Sequence, residues 1–226
     1  MLKILKYIIL GSFIGCFCAD LFSEDEKGEL EDEIGFYQGF KVELDAYSLV
    51  MSAINKDTYS FEANVQVNLK ERFFPILEMG FAGANKTSIN GYGFKTNGLF
   101  TKIGVDYNLL KPNLRGTTMH KYFFVGGRYG FSRFSYDITN IAIDNGYWGG
   151  ENIRNFENQK LTKHWLEVVA GLRVEILENV YIGWNVRLKM PLGKGDSGEI
   201  SPWFVPGIGI VNAGNWAFNY TVGYKF

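Results

Sequence analysis

The sequence contains little cysteine, histidine or proline and carries almost no net charge. It has two cysteines, two histidines and five prolines in 226 residues, and its formal net charge is −1. Because nucleic-acid binding requires a basic surface that neutralises phosphates, the balanced charge argues against a nucleic-acid partner. Both cysteines, Cys16 and Cys18, lie near the amino terminus, so a chain cleaved after them is expected to fold without a disulfide.

The first 22 residues have the order of a secretory signal peptide. Lys3 and Lys6 precede an apolar run over residues 7–17, and small residues follow it. A transmembrane anchor is the alternative, but a spanning helix needs roughly 20 apolar residues. The segment Phe13-Ile14-Gly15-Cys16 resembles a lipoprotein signal box, which makes Cys16 a candidate lipidation site; ordinary cleavage between Cys18 and Ser23 is the other possibility.

An acidic leader is expected at residues 23–35. Seven acids and one base stand between Ser23 and Glu33, and such a run cannot bury apolar area, so it should be solvated and flexible. The acids lack the alternating spacing and the glycine turn of a calcium loop, and no metal is predicted there.

From residue 36 onward, apolar and polar residues alternate, which places successive side chains on opposite faces of a strand. Residues 59–69 are the clearest case, with apolar residues at every odd position. Eight such segments are predicted, most with the roughly 9 to 11 residues that a tilted membrane strand needs: 40–47, 59–69, 76–83, 99–108, 122–134, 166–175, 180–189 and 216–226. Parity places Tyr47, the last residue of the first segment, on the inward face.

The connections are predicted to be short at one end of the barrel and longer at the other. Tight turns fall at residues 70–72 and 178–179, with a link of moderate length over 111–120. Loops are expected at the opposite end: 53–57, 85–94, 138–163 and 192–215. Residues 203–210 could be a ninth strand, but Pro202 and Pro206 fit a central strand badly and an odd count is unusual, so an apolar loop is favoured. Whether 202–212 form a loop or a strand stays open.

The last segment carries the most specific motif. Asn219–Phe226 alternates aromatic and polar residues and closes on a terminal phenylalanine. With residues 36–226 as a whole, it resembles the small outer-membrane β-barrel superfamily, which includes compact barrels of unknown function from gut-type anaerobic bacteria. Pro206-Gly207-Ile208-Gly209 is also similar to that group. The resemblance implies an all-β, eight-stranded antiparallel up-and-down transmembrane barrel in the cell outer membrane. It further implies contact with outer-membrane lipid and recognition of Tyr220, Val222, Tyr224 and Phe226 by the barrel-assembly machinery.

The inward faces are predicted to carry fourteen ionisable residues, seven acids and seven bases. Because a barrel of eight strands is just wide enough to be filled by its own side chains, these groups are expected to form a salt-bridged plug. A pore lined by charges of one sign would favour a channel instead. The fourteen are Lys41, Glu43, Asp45, Glu62, Glu78, Lys102, Asp106, Arg128, Glu167, Arg173, Glu175, Arg187, Lys189 and Lys225.

Function is constrained more weakly than architecture. His120 and His164 stand in no Ser-His-acid pattern, so no enzyme activity, catalytic residue or cofactor is predicted. A structural or surface-contact role is favoured, with an unknown extracellular ligand. Its candidate contact residues are loop aromatics, which could equally cap the barrel mouth: Tyr147, Trp148, Trp203 and Phe204.

The alternative class is a soluble lipocalin-like barrel that binds a small apolar ligand. It requires apolar residues inside and polar residues outside, the reverse of a membrane barrel. Alternation alone does not tell the two faces apart. The fourteen charged residues on one face favour the membrane barrel, because they leave little room for an apolar cavity.

Overall fold

A computed structural model describes residues 35–89, 91–110, 120–144, 151–193, 201–211 and 214–226. The predicted signal peptide with Cys16, the leader before Gly35, and the loop residues Tyr147 and Trp148 lie outside these ranges. Within them the chain forms ten strands and one helix. Their bounds are β1 Tyr37–Asp45, α1 Ala46–Ile54, β2 Thr58–Leu69, β3 Phe73–Thr87, β4 Gly93–Asn108, β5 Lys121–Asp144, β6 Glu151–Leu177, β7 Val180–Leu192, β8 Phe204–Val205, β9 Gly209–Ile210 and β10 Trp216–Lys225.

Eight of the strands form a closed antiparallel barrel. Their order around the ring is β1-β10-β7-β6-β5-β4-β3-β2, and each long strand pairs with its neighbours along the chain. The ring closes where β10 pairs with β1, from Lys41 opposite Lys225 to Asp45 opposite Thr221. The prediction of an eight-stranded up-and-down barrel is confirmed.

The faces of the barrel have the polarity of a membrane protein. On β3 and β4, Leu77 lies opposite Ile103 and Glu78 lies opposite Lys102. Leu77 and Ile103 are 43% and 62% exposed, whereas Glu78 and Lys102 are 0% and 1% exposed. Apolar side chains therefore point outward and charges point inward, as in a transmembrane barrel and opposite to a lipocalin-like barrel. Unpaired backbone groups at a strand edge would be costly in hydrocarbon, and closure of the barrel leaves no such edge where each strand is paired on both sides.

The two tight turns predicted at one end of the barrel are confirmed. The turns at Lys70–Arg72 and Glu178–Asn179 are short, and Lys70, Glu71 and Asn179 adopt left-handed backbone angles in them. We call this side of the barrel the turn end and the opposite side the loop end. In the residues that the structure describes, no helix is long and apolar enough to cross a membrane.

Two predicted loops at the loop end are wrong in part. The sequence predicts a loop over residues 138–163, but β5 continues to Asp144 and β6 begins at Glu151, so most of this segment is a β-hairpin. Register shifts after Tyr136 and Ile138 interrupt the alternation of apolar and polar residues. Because the prediction relied on this alternation, it ended the strand too early. The loop expected at 85–94 is also shorter, because β3 runs to Thr87 and β4 starts at Gly93.

Helix α1 was not predicted. The side chain of Asp45 accepts hydrogen bonds from the backbone N–H groups of Tyr47 and Ser48, at 3.1 and 3.2 Å, and caps the helix. Tyr47 is therefore a helix residue and 43% exposed, and the inward position that strand parity predicts for it is wrong.

Residues 203–211 form a short hairpin that is separate from the barrel sheet, which we call the mouth hairpin. Strand β8 pairs with β9 only, so there is no ninth barrel strand in the described residues. Pro206 and Gly207 make its turn: Gly207 has φ +85° and the N–H of Ile208 donates to the carbonyl of Val205 at 3.1 Å. Proline followed by glycine is typical of a type II turn.

Candidate functional site

The middle of the barrel holds a continuous set of ion pairs. Glu78 is at its centre: its carboxylate lies 3.0 Å from Lys102 Nζ, 3.0 Å from Arg128 Nε and 2.9 Å from Arg187 Nη1. Glu62 contacts Lys102 and Arg187 as well, each at 2.8 Å. The three cations around Glu78 offset the free-energy cost of removing its carboxylate from water. Each of these cations also pairs with at least one other acid.

The same set continues toward the turn end through Asp106. Arg128 Nη2 lies 2.7 Å from Asp106 Oδ1, and Arg173 Nη1 lies 3.1 Å from Asp106 Oδ2. Arg173 Nε also contacts Glu43 at 2.9 Å, and Glu43 contacts Lys41 at 3.1 Å. Glu167 lies within 3.7 Å of Lys102.

We call these ten residues the charge network. Its members are Lys41, Glu43, Glu62, Glu78, Lys102, Asp106, Arg128, Glu167, Arg173 and Arg187, which are five acids and five bases, all buried. The other four residues that the sequence predicts to point inward lie outside the charge network. Asp45 caps α1 and accepts a hydrogen bond from Asn219, and Glu175 accepts from the N–H of Asn179. Lys189 binds backbone carbonyls of the mouth hairpin, and Lys225 is half-buried near the turn end.

A layer of buried apolar side chains, most of them aromatic, lies between the charge network and the loop end, and we call it the aromatic layer. Trp165 is fully buried, and its Nε1–H donates to Glu167 Oε1 at 2.7 Å, which joins this layer to the charge network. The indole ring lies against Gly130, where any Cβ would overlap it. The mouth hairpin inserts Phe204 and Val205 into the same layer. Its other buried members are Ala82, Ala84, Phe94, Phe100, Phe134, Tyr136 and Ile138.

The mouth hairpin depends on Gly207. A Cβ built at this residue would lie 2.7 Å from Trp165 Cη2 and 2.8 Å from Phe100 Cγ. Its φ of +85° is in addition a conformation that L side chains rarely adopt. We therefore expect Gly207→Val to displace the hairpin from the barrel mouth and to increase its cleavage by protease applied to intact cells.

Gly209→Val is the matched control for this prediction. Gly209 also has a positive φ, +106°, but its Cβ would meet nothing within 4 Å. The control therefore carries the backbone strain without the clash with Trp165 and Phe100. Cleavage within residues 203–211 is followed by mass spectrometry, and equal cleavage of the two variants would contradict the packing role of Gly207.

Of the four candidate contact residues, the structure describes two, one in the interior of the barrel and one at a cleft at its rim. Phe204 is buried in the aromatic layer. Trp203 is half-buried, 5.9 Å between ring centroids from Phe94, with Lys86 Nζ 5.1 Å from its ring. It borders an open cleft of about 590 Å³, together with Tyr92 and Ile141.

The predicted assembly-signal residues share the outer face of the barrel. Tyr220, Val222, Tyr224 and Phe226 are all exposed there. Phe226 donates its N–H to the carbonyl of Phe40 at 2.8 Å and stacks on the Phe40 ring, with centroids 4.9 Å apart. The terminal aromatic thus lies at the β1–β10 seam, while its recognition by the assembly machinery stays a prediction.

The two histidines lie in different environments. His164 Nδ1 is hydrogen-bonded to the hydroxyl of Tyr129 at 2.6 Å on the outer face, between the rings of Tyr129 and Phe131. His120 lies at the turn end, 3.7 Å from Glu71 and 4.0 Å from Glu175. Among the described residues, neither imidazole contacts a serine or cysteine nucleophile, and no three metal-ligating side chains converge.

The solved structures to which the chain is similar include three barrels. The N-terminal β-barrel domain of Pseudomonas aeruginosa OprF is 14% identical with a TM-score of 0.43, over 84% of this chain and 99% of that one. Neisserial surface protein A (NspA) is 15% identical with a TM-score of 0.42, over 84% and 99%. Yersinia pestis Ail, the attachment invasion locus protein, solved with the heparin analogue sucrose octasulfate, is 13% identical with a TM-score of 0.34, over 83% and 94%.

No curated protein matches the sequence of this chain. One family profile, described as a domain of unknown function, DUF6048, matches residues 4–226. Since this match spans nearly the whole sequence, the chain belongs to the DUF6048 family.

Proposed function

We propose that this protein is an integral outer-membrane barrel with a closed lumen and a structural or surface-contact role, without catalytic activity. The charge network is the observation that carries the proposal. Its ten side chains lie across the lumen between the aromatic layer and the turn end, and all of them are buried. A lumen filled by neutral pairs of charges offers an ion neither a water path nor a field of one sign.

The exterior supports insertion in a lipid bilayer. Large apolar side chains are exposed on every barrel strand, which would be costly in water but is favourable against hydrocarbon. The short turns support a periplasmic position for the turn end, because bacterial barrels have short periplasmic turns and longer extracellular connections. The loop end, with the mouth hairpin, then faces the outside of the cell.

Two measurements test the barrel and its closure. We expect the protein to stay in the outer membrane after a carbonate wash and to migrate faster unboiled than boiled in detergent electrophoresis. We also expect no conductance steps when it is reconstituted in planar bilayers in which a general porin gives large steps. Release by carbonate without a mobility shift would contradict membrane insertion, and reproducible steps would contradict the closed lumen.

The hairpin of β5 and β6 supports the surface-contact role. Strand β6 pairs with β7 only from His164 onward, so residues 151–163 extend beyond the end of β7. β5 continues past its last pair with β4, Thr139 opposite Gly93. This hairpin therefore projects from the loop end, and it leads into the segment that carries the candidate contact residues Tyr147 and Trp148.

Excision of residues 141–154 tests this role. The cut is practical because the N–H of Asn140 donates to Asn155 Oδ1 at 2.9 Å, so the new ends are adjacent. We expect the excised variant to keep its heat-dependent mobility and to lose binding of whole cells to immobilised laminin, fibronectin or glycans. The variant Tyr147→Ala/Trp148→Ala should lose the same binding. Unchanged binding by both variants would contradict a contact role for the hairpin.

A further inference from the structure

The barrel wall has a gap between β2 and β10 at the loop end. Strand β1 stops at Asp45, after pairing with β10 only as far as Thr221 and with β2 only as far as Ala63. Residues 58–62 of β2 and 216–220 of β10 thus each have a strand neighbour on one side only, β3 and β7 respectively. Open strand edges are costly in hydrocarbon, so something must cover this gap.

Helix α1 covers the gap, and it is attached mainly to β2. The hydroxyl of Ser52 accepts from the N–H of Ser60 at 2.7 Å and lies 2.9 Å from the Ser60 carbonyl. Toward β10 the contact is between rings: Tyr47 meets Phe218 edge-on at 6.1 Å. In the part of the chain that the structure describes, no hydrogen bond joins the residues of α1 to β10. The helix exposes Leu49, Val50 and Ile54, which suits a lipid environment.

A cavity of about 320 Å³ lies behind the helix. It is lined by the outward residues Trp216 and Phe218 of β10 and also by the inward residues Ala217 and Asn219 of the same strand. Tyr47 and Ser48 of α1 and Ser60, on the unpaired edge of β2, line the cavity too, so it reaches the gap between β2 and β10. The cavity therefore connects the upper lumen with the outer surface through the seam between α1 and β10. Its volume is within the range of small-molecule sites, roughly 300–1,000 Å³.

The inner part of the cavity is apolar on one side and charged at its base. Phe100, Phe204 and Ile208 contribute the apolar side. At the base, the Glu62 carboxylate also lines the cavity, but it is paired with Arg187 at 2.8 Å, and Arg187 pairs with Glu78 as well. Lys189 differs: among the described residues no carboxylate lies within 4.0 Å of its ammonium, which donates instead to the carbonyls of Gly207 and Ile208 at 2.9 and 3.1 Å.

We propose that this cavity binds a single-chain amphiphile with a carboxylate head group, a fatty acid, which enters laterally from the outer leaflet through the α1–β10 seam. The acyl chain packs against Phe100, Phe204 and Ile208, and the carboxylate pairs with Lys189. A charge-assisted hydrogen bond to a carboxylate is stronger than the ones that Lys189 makes to neutral carbonyls. The charge network closes the cavity below, so this site is compatible with a lumen that does not conduct.

The proposal is tested by photolabelling of the full chain, purified from outer membranes and reconstituted in nanodiscs. The probe is dodecanoic acid with a diazirine in its chain, and labelled residues are identified by mass spectrometry. We expect adducts on the inward residues Phe100, Phe204 or Ala217. Lys189→Met should reduce this labelling at least about ten-fold, because one hydrogen bond between charged groups is lost. Lys225→Met, which removes the half-buried lysine near the turn end, should leave it unchanged.

Two further probes separate the sources of an acyl chain. Dodecanol with the same diazirine should label the inward residues at least about ten-fold less, since it offers Lys189 no charge. A phosphatidylethanolamine with the diazirine in one chain should label only outward residues such as Leu99 and Val186. Labelling by the fatty acid that is confined to outward residues would overturn the proposal. So would equal inward labelling of the parent and Lys189→Met, each first verified as folded by its heat-dependent mobility.

Discussion

Glu78→Gln is expected to lower the free energy of unfolding by about 3–5 kcal/mol, because it removes the charge that three buried cations share. Lys102, Arg128 and Arg187 all lie within 3.0 Å of the Glu78 carboxylate, and Glu78 is 0% exposed. Water cannot replace the lost charge at this depth. The substitution keeps the size and shape of the side chain, so the loss measures electrostatics rather than packing.

Urea unfolding of the protein in lipid vesicles, followed by tryptophan fluorescence, measures the effect. Glu178→Gln is the control: this acid lies exposed in the turn between β6 and β7, and its substitution should change the free energy by less than about 0.5 kcal/mol. The double variant Glu78→Gln/Lys102→Met removes one charge of each sign and should recover part of the loss. A loss under about 1 kcal/mol for Glu78→Gln would show that the charge network contributes little to stability.

The membership of the charge network could be predicted from the sequence, but its pairing could not. Strict alternation placed Glu62, Asp106 and Arg187 on one face, and that face is inward. Which residues meet depends on how far each strand is shifted against its neighbours and on the tilt of the barrel. Arg187 reaches Glu62 across 125 residues of sequence, and no local pattern carries that information.

The parts that the sequence analysis missed are those where alternation stops. The Asp45 cap followed by Ala46, Leu49 and Met51 is a helix signal that was available, but the strand pattern before it dominated. The sequence favours an apolar loop where the mouth hairpin lies, and it leaves open whether Phe204 is a contact residue or a cap of the barrel mouth. Its insertion into the barrel depends on long-range packing against Trp165, which only the structure reveals.

Trp165→Ala is expected to cost about 3–5 kcal/mol of unfolding free energy, in the range for removing a buried aromatic side chain. Trp165 is fully buried, packs on Gly130 and lies under the turn of the mouth hairpin at Gly207. Its removal also leaves Glu167 without the indole N–H that lies 2.7 Å away. The same urea titration measures the loss, with fluorescence corrected for the missing indole.

Trp165→Phe separates packing from hydrogen bonding, since it keeps most of the ring but not the donor, and we expect about 1–3 kcal/mol for the unsatisfied carboxylate. Trp184→Ala is the control on the outer face, where lipid fills the space that the ring leaves, so a smaller loss is expected. Trp165→Ala should also expose the mouth hairpin to protease. Glu78→Gln should not, because the ion-pair partners of Glu78 are Lys102, Arg128 and Arg187, which belong to the charge network and not to the aromatic layer. Equal losses for Trp165→Ala and Trp184→Ala, with a protected hairpin in both, would mean that the aromatic layer does not hold the barrel mouth closed.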